Sequence, residues 1–76
     1  MKLIIQDSKD TREFIYACES WNVERLKKEI QKKYSITDEI VLVFNGNILD
    51  NNDSLLQKDI VDGKTINFLG KFSAGK

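Results

Sequence analysis

The sequence predicts an α+β domain, a sheet of four to five strands packed on one α-helix at about residues 23–34. Three observations carry that expectation. The apolar run Ile40-Val41-Leu42-Val43-Phe44 passes straight into Asn45-Gly46, the strongest short hairpin signal in the chain. Val23, Leu26, Ile30 and Tyr34 recur at helical spacing. Thr65 to Leu69 alternates as a strand does, with Ile66 and Phe68 on one face and Asn67 and Leu69 on the other.

Each element has its own signal. Leu3 and Ile5 form one face of a first strand that also carries Lys2 and Ile4, and the polar stretch Gln6 to Thr11 turns the chain. Glu13 to Cys18 then resumes as a second strand, whose inward set is either Ile15 and Ala17 or Phe14, Tyr16 and Cys18. A one-residue slip exchanges the two sets, so this face stays open. Asn22 is a good N-cap, and Lys32 and Lys33 fall in the last helical turn, where the helix dipole favours cations. Trp21 before the cap and Leu26 after it have the spacing of a hydrophobic staple, which makes Trp21 structural. Asn45-Gly46 supplies a tight turn between Phe44 and Ile48. Leu55-Leu56 suggests a short helical turn under the sheet, and Asp62-Gly63 leads into the last strand. The expected order is β-β-α-β-β, with residues 1–72 as the domain and 73–76 as a flexible tail or the start of a linker.

Composition excludes several functions. A domain of 76 residues buries only about 60% of its unfolded surface, which leaves no room for an enclosed cofactor pocket. Twelve Lys and Arg balance twelve Asp and Glu, so no net field draws the chain to nucleic acid or membrane. With no histidine, neither a Cys-His nor a Ser-His pair exists, and the single Cys18 lacks a base and an internal disulfide partner. No apolar stretch approaches 20 residues and no signal-peptide pattern follows Met1-Lys2, so the sequence reads as soluble and intracellular, cytoplasmic and/or nuclear, and a monomer is expected. Asp50, Asp53, Asp59 and Asp62 cluster in sequence but fit turns better than any calcium loop. Asn22 to Tyr34 carries five basic and two acidic residues, the pattern of a solvated helix face, and Arg occurs only twice in the chain. No cofactor, metal, catalytic residue or nucleic-acid partner is expected.

The apolar run has a further consequence. A strand serving one core needs only alternate apolar residues, so Val41 and Val43 belong to a second face. One helix cannot cover both faces of the sheet. The leftover face is the leading functional feature, a surface for a partner protein.

The order of elements and their residues resemble ubiquitin and the ubiquitin-like domains. The likeness runs through Met1-Lys2-Leu3-Ile4-Ile5, Val23 to Gln31 with Lys27 and Ile30, and Leu42-Val43-Phe44-Asn45-Gly46. It continues through Leu49-Asp50, Ser54-Leu55, Ile60 and Thr65-Ile66-Asn67-Phe68-Leu69, with one position lost between helix and third strand. That resemblance implies the β-grasp fold with a mixed sheet. It also implies a partner surface of outward residues from the third and fifth strands, with Val43 and Leu69 at its centre. Asn67, Gly46, Val41 and Ile48 surround them, and Ser8 or Lys9 contributes from the first hairpin turn.

The resemblance has departures that matter. Ubiquitin's basic rim corresponds here to Val41, Asn47 and Asn67, so an acidic-ended receptor helix would lose charge-assisted contacts. Ile40 to Leu49 is similar to the corresponding segment of the amino-terminal domains of ubiquilin-type shuttle proteins, in which valine also extends the apolar patch. The implied partners are ubiquitin-receptor-like helices or small domains, proteasome subunits among them, and a covalently fused carboxy-terminal domain. The tail pair Ala74-Gly75, followed by Lys76, stands where ubiquitin ends in two glycines. A methyl at Ala74 opposes threading through an activating or cleaving enzyme. Lys76 would also suit the start of a ribosomal-protein extension behind a poorly processed leader, the alternative to a permanent interaction domain; a conjugated modifier ranks below both.

Overall fold

The computed structural model describes residues 1–70. Five strands and one helix follow in the order β1 (Lys2–Gln6), β2 (Arg12–Tyr16), α1 (Val23–Tyr34), β3 (Ile40–Phe44), β4 (Asn47–Ile48) and β5 (Thr65–Gly70). The sheet order is β2-β1-β5-β3-β4. Only the central β1–β5 pair is parallel, which makes the sheet mixed. This is the β-grasp arrangement that the resemblance implies.

Alternation decides which residues enter the core. Leu3 and Ile5 of β1, Leu42 of β3 and Ile66 of β5 are fully buried, and Val23, Leu26 and Ile30 of α1 meet them in one cluster. Apolar side chains from one face of the sheet and one stripe of the helix thus leave water together, which is the main driving force for the fold. Leu49, Leu55 and Ile60 close the cluster beneath the sheet. Among the described residues the core contains no buried polar or charged residue.

The helix matches its expected bounds. Asn22 takes an extended backbone, and its side-chain oxygen accepts from the Arg25 amide at 2.9 Å. At the other end Ser35 adopts a left-handed conformation, and the amides of Ser35 and Ile36 donate back to the carbonyls of Lys32 and Gln31. The exposed helix amides and carbonyls therefore find partners at both ends. Asn22→Ala is expected to cost about 1 kcal/mol, read as a lower thermal midpoint with an unchanged fold. Trp21 packs against the core cluster, and the Arg25 guanidinium lies over its ring at 4.6 Å, in agreement with a structural role.

Four local readings are settled or corrected. In β2 it is Ile15 and Ala17 that point inward, while Phe14 and Tyr16 are exposed. That strand runs from Arg12 to Tyr16 and excludes Cys18, because Ala17 already marks the end of its ladder, donating its amide to the Met1 carbonyl. The hairpin turns on Asn45 and Gly46, both at positive φ as expected, but its flanking pair is Phe44 with Asn47, one residue before Ile48. Leu55-Leu56 lies in successive hydrogen-bonded turns and not in a helix: the amides of Lys58 and Ile60 both return to the Leu55 carbonyl, and Asp59 has positive φ.

Of the acidic residues after β4, Asp50 and Asp53 serve a local turn, whereas Asp62 ties the segment before β5 to β1. Asp53 accepts from the Asp50 amide, Asp50 from the Asn52 amide, and Asp62 from the Lys2 amide. Residues 71–76 lie outside the described residues, and with them the expectations for Ala74, Gly75 and Lys76 and for a boundary at 72. No helix among the described residues is long and apolar enough to cross a membrane.

Candidate functional site

Residues directly opposite one another on paired strands share a face of the sheet. The register sets Val41 against Leu69, and Val43 against both Asn67 and Ile48. With Leu42 and Phe44 turned into the core, all five of these residues stand on the face away from α1. Val41 and Val43 are half-buried by their neighbours, whereas Leu69 is 45% and Ile48 74% exposed. The result is an apolar patch across three strands with Asn67 as its central polar group. Gly46, at φ +80, holds the β3–β4 turn at one end, and nothing lies within 4 Å of the place its Cβ would occupy.

The patch is electrostatically plain. Gln6 pairs with Asn67 on one side and Arg12 on the other, and the Arg12 guanidinium donates to the Gln6 side chain at 3.3 Å. Asn47 and Asn67 are neutral, so Arg12 is the cation in this row of the sheet. Such a face can bury apolar side chains and exchange amide hydrogen bonds, but it holds no acid–base pair. Among the described residues no group of three or more His, Cys, Asp or Glu is placed to hold a metal ion.

Ser8 is separated from this row. It lies in the β1–β2 turn, where Asp7 accepts from the amides of Lys9 and Thr11. There it lines a groove with Tyr34, Ile36, Phe68 and Gly70, at the end of β5. Within the groove the Tyr34 ring packs against Phe68 at 4.9 Å between centroids. Burial, and then the negative charges of Glu13 and Asp7, raise the Tyr34 phenol above its ordinary value of 10.0. The folded state therefore favours the neutral phenol. Its contribution to stability is present below pH 10 and is lost as pH rises through the folded value, so the native chain is expected to lose stability more steeply above pH 10 than Tyr34→Phe. Chemical unfolding at a series of alkaline pH values measures the difference.

Two surface features escaped the sequence. Phe14 (53% exposed) and Tyr16 (74% exposed) extend the outward face beyond β1, with Ile4 paired to Phe14 and the Lys2 ammonium 3.9 Å from the Phe14 ring centre. The signal for them was the second parity of β2, which nothing local distinguished from the first. The groove was also unforeseen, because it joins a turn, a helix end and a strand end that are distant in sequence.

Comparison with known proteins agrees with this architecture. A family model described as "Ubiquitin-2 like Rad60 SUMO-like" matches residues 1–69. Ubiquilin-1 of Homo sapiens is 39% identical over 72 residues, covering 93% of this chain and 12% of that protein. Ubiquilin-2 of Homo sapiens is 36% identical over the same length, covering 93% of this chain and 11% of the relative. The solution structure of the N-terminal ubiquitin-like domain in the 4931431F19Rik protein superposes with a TM-score of 0.88 at 28% identity, covering 100% of this chain and 79% of that one. The chain thus spans about an eighth of the length of the ubiquilins it matches. It belongs to the ubiquitin-like family, and within it is similar to the ubiquitin-like domains of the ubiquilins.

Proposed function

We propose that this chain is a non-enzymatic protein-interaction module, the amino-terminal domain of a larger protein, and that it binds partners through the outward face centred on Val43 and Leu69. The observation that carries the reading is the pairing of Val41 with Leu69 and of Val43 with Ile48 on the face that the helix leaves bare. Apolar side chains held at the surface in this way suit a partner that supplies complementary apolar surface. Similarity to the ubiquilins supports a place in the ubiquitin–proteasome pathway, in cytoplasm and nucleus, with receptor helices and proteasome subunits as partners.

The composition of the patch sets the affinity class. Fully burying one Val or Leu side chain contributes about 1.5–3 kcal/mol before ordering costs, so two anchors with a small rim give a micromolar or weaker contact. Neutral Val41, Asn47 and Asn67 select helices whose docking depends on apolar contact more than on acidic ends. The test is titration calorimetry with a receptor helix from a proteasome subunit, using the native chain and Val43→Asp. Micromolar binding that weakens about tenfold or more in the variant supports the reading; a variant that binds as the native chain does overturns it.

A further inference from the structure

A single register row crosses the whole outward face. Pairing joins Ile48 to Val43, Val43 to Asn67, Asn67 to Gln6 and Gln6 to Arg12, so these side chains run across β4, β3, β5, β1 and β2 in turn. The row is apolar at its β4–β3 end and cationic at its β2 end. Gln6 holds the cation in place: its Oε1 accepts from Arg12 Nε at 3.3 Å, while its Nε2 donates to Asp10 at 2.9 Å. The Asp10 carboxylate is thereby taken up by the amide and not by the guanidinium. Arg12 is exposed, and among the described residues it joins no ion pair, so the bond through Nε leaves its four Nη hydrogens for another acceptor.

The other charges near this end are engaged elsewhere. Lys2 shares the outward parity, but its ammonium lies 3.9 Å from the Phe14 ring centre. Glu13 has the opposite parity and pairs with Lys33 of α1 at 3.6 Å, Asp62 accepts from the Lys2 amide, and Asp7 accepts from the amides of Lys9 and Thr11 within the turn.

We propose that Arg12 sets the direction in which a partner helix docks. An amphipathic helix lies across the strands along this row, with its apolar side chains on Ile48, Val43 and Leu69 and a glutamate or aspartate at its other end on the Arg12 guanidinium. The inference rests on the interaction-module reading and adds to it the polarity of the partner. Chemistry supplies one argument, because the guanidinium fork matches a carboxylate and draws it without a second cation. Spacing supplies the next. Strands lie about 4.8 Å apart, so Arg12 is about 14 Å from Val43 across three spacings. A helix rises about 1.5 Å per residue, so a carboxylate about seven to eleven residues from the apolar anchors, two to three turns along the same stripe, reaches it. Asn67 and Gln6 in between are neutral and give the helix no charge to bury. A helix laid the opposite way would bring its acid over Val43 and Ile48, where a carboxylate loses water and gains no partner.

Titration calorimetry at low salt with two synthetic amphipathic helices tests the proposal. Both carry leucines at one end; about eleven residues further on, one has a glutamate and the other a glutamine. The glutamate helix is expected to bind the native chain about two- to fivefold more tightly, the range of an exposed ion pair. That preference should vanish in Arg12→Gln, reverse in Arg12→Glu, and persist in Lys2→Gln. Methyl shifts of Val43 and Leu69 in the same titrations report whether the helix occupies the face. Equal affinities for the two helices while those methyls move overturn the inference and leave the interaction module standing; methyls that stay still overturn both. A preference kept in Arg12→Gln and lost in Lys2→Gln overturns the assignment to Arg12.

Discussion

Leu42→Ala is expected to cost about 2–5 kcal/mol of stability, the range for deleting a fully buried leucine that leaves a partly unrelaxed cavity. Leu42 is fully buried at the centre of β3, paired with Phe68 of β5. A domain of 76 residues has a total stability of roughly 4–11 kcal/mol on a per-residue scale, so this one substitution removes a large part of it. The small core explains the size of the effect. Among the described residues Leu3, Ile5, Leu26, Ile30, Leu42, Leu55, Ile60 and Ile66 are the leucines and isoleucines completely out of water, and the loss of any one is felt by a single cluster. Urea unfolding of native and variant chains measures the change. A loss below about 1 kcal/mol would mean that Leu42 is not tightly packed in the core.

The neighbouring residue should behave in the opposite way. Val43→Asp is expected to lower partner affinity by about ten- to a hundredfold, because an apolar anchor is lost and a carboxylate is brought to an apolar contact. Its cost to folding should be about 1 kcal/mol, the span of strand preference at a position that faces solvent on one side. Val43 stands opposite Ile48 and Asn67 on the outward face, so the charge can remain hydrated in the free domain. One residue along the strand therefore separates a stability defect from a binding defect. Comparing the thermal midpoint and the affinity of both variants shows whether that division holds.

Much of this arrangement was legible because the signals were local. Asn22 capped the helix where its side-chain chemistry required, and Asn45-Gly46 made the hairpin because both residues tolerate positive φ. The continuous apolar run Ile40–Phe44 announced a second face, since a one-sided strand does not need Val41 and Val43. β2 was undecided because both of its parities are apolar or aromatic. The choice between them comes from pairing with β1, which sets Ile15 opposite Leu3 and leaves Phe14 opposite Ile4. Leu55-Leu56 misled because two leucines suit a helical turn and a buried irregular turn equally; the Asp59 left-handed backbone and the return of the Ile60 amide to Leu55 select the latter.

The candidate site divides along the same line. Val41, Val43, Ile48, Asn67 and Leu69 came together because alternation along β3 and β5, and the two antiparallel registers that pair β3 with β5 and with β4, place them on one face. Ser8 and its groove depend on where the β1–β2 turn folds relative to the helix end, which the polar residues of that turn do not encode by pattern. That the Tyr34 hydroxyl finds no partner among the described residues is equally invisible in sequence, because it depends on which groups surround a side chain whose spacing marks it only as part of a helix face.

The most direct test of the central claim is a map of amide shift changes as the isotope-labelled chain is titrated with a receptor helix. The account predicts that the perturbed amides cluster at Val41, Val43, Ile48, Asn67 and Leu69, while those facing the core on α1 stay still. Perturbations confined to the helix surface or to the Phe14–Tyr16 end of the sheet would contradict it and move the binding face elsewhere.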